Sequence, residues 1–289
     1  MTKTTTDAAN LSTEARTRNL YDLGSTTIFS YAGDPRFAYA LYVPKAITQP
    51  GNRVELVVVV HGTGRQFTNY RDAFAEFGRW QDCLILCPLF PVGVRGDGNP
   101  GGFKHLVEAD IRYDDVLLGM VDEVSRKYEA SFDKFALFGY SGGGQFVNRF
   151  GYLHPERLWA LSIGAPGSVT LLDAQQNWWV GIGDMQQRFG KALDLDALRS
   201  VPVHMVVGKA DLETWEITHR EGGPHFMPGA NSAGANRQER LASLRDSFER
   251  AGVDVTFDVI DNMPHNGMLA VPAVQDFLAD VLRKKRREA

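Results

Sequence analysis

Apolar residues recur along the chain in short runs of four to eight, and between these runs they spread out to helical spacing. The runs fall at 26–30, 37–43, 54–60, 83–87, 135–138, 159–163, 203–207 and 253–260, and are rich in Val, Ile, Leu and Phe, which reads as β-strand. The first two are close enough to pair as a hairpin. Val57-Val58-Val59-Val60 and Leu84-Ile85-Leu86 have no polar face, as expected of central strands covered on both sides. Helical patterns lie near 68–79, 110–128, 143–153, 236–251 and 271–285. This alternation predicts an α/β fold with a mostly parallel eight-stranded sheet flanked by helices on both faces.

Two stretches break the alternation. Residues 168–200 read as a short cap-like insertion over the carboxyl edge of the sheet, where open α/β sheets bind ligands. Residues 212–235 form a glycine-rich irregular stretch long enough to be a functional loop. The remainder fits a single domain over 1–289, with residues 1–22 as an N-terminal extension.

At 289 residues and 44% hydrophobic content the chain can bury one large core. A net charge of −4 gives no electrostatic footprint for nucleic acid, and the basic run Arg283-Lys284-Lys285-Arg286-Arg287 suits a helix C-terminus. There is no signal-peptide pattern and no run long enough to cross a bilayer, so a cytoplasmic protein acting on a small molecule is expected, with no membrane partner. Cys83 and Cys87, four apart on one strand, stand roughly 13 Å from each other, too far for a disulfide. They read as inert core residues.

The candidate chemistry centres on Gly139-Tyr140-Ser141-Gly142-Gly143, which follows an apolar strand and opens a helix. A strained turn of this kind holds a serine hydroxyl out at its apex. Such a hydroxyl is a nucleophile only when a base removes its proton and fixed donors receive the charge that develops on the attacked carbonyl. Asp211 follows the strand at 203–207, and His265 follows the strand ending at Ile260, in the order acid then histidine; Glu213 is the reserve acid. His61-Gly62-Thr63-Gly64 ends a buried strand in a small-residue turn, making the Thr63 N–H and the Gly142 N–H the candidate oxyanion donors, with His61 bracing the loop. Arg65 and Arg95 are candidates for a substrate carboxylate or carbonyl. Tyr140, Trp178 and Trp179 are candidates for the substrate wall. His219 and His225 show no zinc spacing and read as loop residues; no metal and no organic cofactor is expected.

These features together resemble the α/β-hydrolase family over about residues 26 to 285, on the His61-Gly62 turn, the Gly139-to-Gly143 elbow, Asp211 and His265. Within it the chain looks most like the esterase and depolymerase branch, which includes polyhydroxyalkanoate-depolymerase-like and feruloyl-esterase-like proteins. The resemblance implies that Ser141 attacks an acyl carbonyl, His265 moves its proton to the leaving group, and Asp211 orients the imidazole. The secreted relatives carry signal peptides and disulfides that this chain lacks, which favours a small intracellular ester or lactone. The alternatives are an amide, formamide or peptide bond cleaved by the same triad, and a non-catalytic ligand-binding protein of the same scaffold. A homodimer is compatible with the sequence.

Overall fold

The computed structural model describes residues 21–49, 51 and 53–288. Residues 1–20 of the expected N-terminal extension lie outside the described residues. Eight strands form the main sheet: β1 (Gly24–Ser30), β2 (Ala38–Val43), β3 (Glu55–Val60), β4 (Cys83–Leu89), β7 (Phe135–Tyr140), β8 (Leu158–Gly164), β9 (Val203–Gly208) and β10 (Val255–Ile260). Their order is β1-β2-β4-β3-β7-β8-β9-β10. β1 pairs antiparallel with β2 and β2 antiparallel with β4, and every later pairing is parallel. β3 pairs in parallel with β7, and the chain leaves β3 toward β4 on one side and β7 toward β8 on the other, so the loops after β3 and β7 part at the carboxyl edge, where a crevice opens.

Among the described residues four longer helices connect strands, α1 (Phe67–Trp80), α2 (Tyr113–Tyr128), α3 (Gly142–Leu153) and α6 (Arg237–Arg250), a fifth, α7 (Gly267–Glu288), follows β10, and α4 (Met185–Phe189) and α5 (Leu195–Arg199) are short. The aliphatic runs are fully buried, as their lack of a polar face requires: every residue of β3, β7, β8 and β9 is buried. Cys83 and Cys87 are free thiols in β4, and burial pushes the Cys83 thiol up to about 12. Cations close the last turn of α7, where Lys285 reaches the Glu55 carboxylate at 2.5 Å.

Three elements depart from the sequence reading. Residues 110–112 are not the start of α2, because Val107–Glu108 (β5) pairs antiparallel with Ile111–Arg112 (β6) in a small ribbon. Helix α7 begins four residues earlier than the pattern suggested, with Pro272 inside it, because the Asn266 side chain accepts from the Met268 N–H and caps the start at Gly267. The insertion between β8 and β9 holds two short helices, the second started by Asp194, whose side chain accepts from the Ala197 N–H.

Two buried arginines tie the irregular segments to the scaffold. Arg149 of α3 donates from Nη1 to the Lys104 carbonyl, from Nε to Thr170 Oγ1 at 2.9 Å and from Nη2 to Ser168 Oγ at 3.2 Å. Arg240 of α6 donates to the carbonyls of Gly167, Ile217 and Gly234 and to Asn231 Oδ1. Removing such a donor leaves several buried acceptors unsatisfied. Arg149→Met is expected to cost about 3–5 kcal/mol, read as a lowered thermal midpoint; an unchanged midpoint would show that the insertion is held by apolar packing alone.

Candidate active site

β7 delivers the chain into a turn that only a special backbone permits. Ser141 sits at φ 58° and ψ −116°, a conformation costing about 1–3 kcal/mol for a residue with a Cβ. The turn closes because its flanking glycines let backbone touch backbone. A methyl group added at Gly139 would lie 2.4 Å from the Gly143 carbonyl oxygen, and one at Gly143 would lie 2.3 Å from that of Val60. The Ser141 N–H donates to the Gly164 carbonyl of β8 at 2.9 Å, fixing the apex against the sheet. Ser141 Oγ makes no capping hydrogen bond to α3, so the hydroxyl is not committed to holding the helix.

The turn after β3 lies against this elbow. A methyl group at Gly62 would stand 3.4 Å from Ser141 Cβ, and one at Gly142 would stand 3.2 Å from the Thr63 amide nitrogen. The Thr63 and Gly142 amides therefore flank the serine. The Gly142 N–H belongs to the first turn of α3, where no intrahelical acceptor exists.

His61, fully buried, braces the Thr63 turn. Its Nε2 accepts from the Phe90 N–H at 3.0 Å, which leaves the Nδ1–H to donate to the Gly62 carbonyl at 2.8 Å. Both nitrogens are occupied by the neutral ring, and burial lowers its pKa from 6.5 to about 4. A base whose folded pKa is depressed favours the unfolded chain once it is protonated. Its stabilising contribution is therefore complete above pH 6.5 and is lost as pH falls toward 4. The loss expected over that window is about 3 kcal/mol. Denaturant midpoints of wild type and His61→Gln should accordingly converge on acidification, and parallel curves would contradict this role.

On the opposite side, His265 projects from the loop between β10 and α7. Its Nδ1 lies 2.6 Å from Asp211 Oδ2, just past the end of β9. Asp211 is buried, and its other oxygen accepts from Arg237 Nη1 at 3.2 Å. Arg237 is buried too, and its Nη2 reaches Glu216 Oε2 at 2.6 Å. A carboxylate at Nδ1 keeps the proton on that nitrogen and leaves Nε2 as the acceptor. The imidazole packs on the ring of Tyr140, the residue before Ser141, with centroids 5.2 Å apart. Ser141 and His265 line one cleft together with Thr63, Tyr70 and Asn266. No hydrogen bond joins Ser141 Oγ to His265 among the described residues; such contacts often tighten only when substrate is bound.

A second cavity, about 240 Å³, opens on the other side of Ser141 and is lined by Lys104, Gln145 and the histidines His105, His219 and His225. His105 is far in sequence from His219 and His225, yet all three gather around Trp179. His219 packs on its indole at 4.6 Å, and His105 packs on it at 5.8 Å and stacks on His225 at 4.5 Å. Sequence reasoning missed this cluster, as well as Glu216, which lines both cavities. The available signal was the placement of Glu216, His219 and His225 in the irregular stretch 212–235, whereas His105 lies in the long loop after β4. The histidine cluster is not a compact set of metal ligands. Among the described residues only Asp114, Asp115 and His154 bring ligating atoms within 4.8 Å of one another, and the buried Asp114 carboxylate is already paired with Arg112 at 2.6 Å.

Other expected substrate contacts are placed differently. Arg65 is spent on the scaffold: its Nε, Nη1 and Nη2 donate to the carbonyls of Phe90, Thr63 and Pro100, because the long loop after β4 must be tied to the Thr63 turn. Trp178 and Trp179 are both buried and line neither cavity beside Ser141. Trp178 packs on Phe189, and Trp179 Nε1 donates to the His225 carbonyl, so the pair supports the wall rather than forming it. Arg95 faces Asp97, and Glu213 is exposed. Tyr140 does line the cleft with Ser141 and His265.

No protein-family model and no curated protein sequence matches the chain. Solved structures do. A poly(aspartic acid) hydrolase from Sphingomonas sp. KT-1 superposes with a TM-score of 0.68 at 22% identity, over 88% of this chain and 97% of its own. A poly(3-hydroxybutyrate) depolymerase from Bordetella parapertussis gives 0.66 at 22% identity, over 84% and 85% respectively. An S-formylglutathione hydrolase from Agrobacterium tumefaciens gives 0.56 at 19% identity, over 90% and 98%. Among the described residues no helix is long and apolar enough to cross a membrane. With its sheet order, its elbow after β7 and these neighbours, the chain has the α/β-hydrolase fold.

Proposed function

We propose that this protein is a serine hydrolase that cleaves a small carboxylic ester or lactone through an acyl-enzyme intermediate. One observation carries the reading: His265, held by the buried Asp211 at 2.6 Å, faces the same cleft as a serine on a strained elbow. Ser141 Oγ attacks the acyl carbon as His265 Nε2 takes its proton, and the Thr63 and Gly142 amides receive the charge on the carbonyl oxygen. His265 then protonates the departing oxygen. Water, activated by the same imidazole, releases the acid. Every proton is handled by side chains already present, so the step needs no metal and no organic cofactor.

The structural neighbours support ester chemistry through the depolymerase, the S-formylglutathione hydrolase and a ferulic acid esterase. The poly(aspartic acid) hydrolase favours a second reading, cleavage of an amide by the same residues. A matched p-nitrophenyl ester and p-nitroanilide with one acyl group separate the two. The ester is expected to show the larger kcat/KM, by about 100-fold or more, because an amine leaving group must be protonated as it departs. Comparable values for both would favour the amide.

A further inference from the structure

The two cavities that meet at Ser141 are not equivalent. His265 lines only one of them. Because His265 hands its proton to the departing oxygen, the leaving group belongs on that side, and the acyl portion extends into the other cavity. That cavity carries Lys104, Arg237 and three histidines in its lining. Lys104 closes the short turn Gly102–His105, with its backbone carbonyl held by Arg149. A methyl group at Gly142 would lie 3.0 Å from Lys104 Cε, so the side chain runs past the elbow itself. Its ammonium makes no ion pair and no hydrogen bond among the described residues. The one carboxylate in the lining, Glu216, is taken up by Arg237 at 2.6 Å.

Electrostatics of the cavity point the same way. Burial holds the Lys104 pKa below its ordinary value, reinforced by Arg65, Arg149 and Arg237 and opposed by Glu216. Burial likewise lowers His105 well below 6.5, His225 below it, and His219 to about 4, with Arg149 adding to each. Neutral imidazoles each keep one N–H to donate. A partly buried cation without a protein counter-ion is destabilising until an anion arrives.

We propose that this cavity is the acyl subsite and that it takes an acyl chain ending in a carboxylate, received by Lys104 and the imidazole N–H groups of His105, His219 and His225. The substrate class is then a monoester of a short dicarboxylic acid, a proposal that rests on the hydrolase reading above. At about 240 Å³ the cavity admits only a short chain. The reaction balances with water alone: the bond from the acyl carbon to the leaving-group oxygen breaks, that oxygen leaves as an alcohol with the proton from His265, and water supplies hydroxyl to the acyl carbon, giving a dicarboxylic acid.

The test compares mono-p-nitrophenyl glutarate with p-nitrophenyl pentanoate, which carry acyl chains of equal length, on the full chain and on Lys104→Met and Lys104→Arg. Wild type is expected to prefer the glutarate ester in kcat/KM by about 10- to 100-fold. Lys104→Met should collapse that ratio mainly through KM, and Lys104→Arg should keep most of it. Free glutarate should inhibit pentanoate hydrolysis by wild type competitively, a readout that needs no variant. Turnover of pentanoate with no preference for glutarate would overturn the subsite and leave the hydrolase standing. An unchanged ratio in Lys104→Met, with both kcat values reduced, would place the ammonium at the oxyanion instead and also overturn it. No turnover of either ester, with Ser141 unreactive toward a fluorophosphonate, would overturn the hydrolase reading itself.

Discussion

Ser141→Ala is expected to lower kcat toward any ester the wild-type chain cleaves by about 10⁴- to 10⁶-fold while leaving the thermal midpoint almost unchanged. The two halves of this expectation come from one observation. Ser141 Oγ makes no capping bond to α3, and the strain at φ 58° is borne by the backbone whichever β-carbon is present. Removing the hydroxyl therefore removes the proposed nucleophile and little else. Residual turnover comparable to wild type would mean that hydrolysis occurs elsewhere. A large fall in thermal midpoint would mean that the serine is a structural residue.

Asp211→Asn is expected to lower kcat by about 10²- to 10⁴-fold. The change is isosteric, so the imidazole stays in place. An amide facing Nδ1 can present N–H instead of an acceptor, which drives the ring proton onto Nε2 and blocks it as a base. The variant also leaves Arg237 with only Glu216 as a counter-ion, and a buried cation stripped of its partner is costly. Its thermal midpoint should therefore fall as well, and the kinetic comparison belongs well below the transition. Glu213→Gln, at an exposed position two residues on, is expected to change kcat less than twofold. Intact activity in Asp211→Asn together with its loss in Glu213→Gln would reassign the acid.

The central strands were legible because burial on both faces demands unbroken aliphatic runs, whereas the partly exposed edge strands β1 and β10 are marked only by β-branched and aromatic residues among polar ones. Ser141, Asp211 and His265 could be singled out as candidates for a related reason. Each sits within a few residues of a strand's carboxyl end, where topology rather than side-chain packing fixes position. What was illegible depends on contacts between distant segments. The Arg149 clamp joins a helix to two loops, and nothing local in Phe146-Val147-Asn148-Arg149-Phe150 says which carbonyls it serves. The gathering of His105, His219 and His225 on Trp179 is likewise a product of three loops folding together. For Arg65 and the tryptophan pair residue type suggests binding, whereas the guanidinium is bonded to three loop carbonyls and Trp179 Nε1 to a fourth, contacts that no local pattern announces. The β5–β6 ribbon, two residues on each strand, is too short to leave a period-two pattern.

The central claim is that Ser141 is an activated nucleophile, and a non-catalytic binding protein of the same fold is its direct rival. Intact mass after incubation with a fluorophosphonate probe, followed by peptide mapping, tests it most directly. The account predicts one adduct per chain, mapped to Ser141, absent from Ser141→Ala and formed far more slowly in His265→Ala. A folded wild-type chain that stays unlabelled, or an adduct on any other residue, would contradict it.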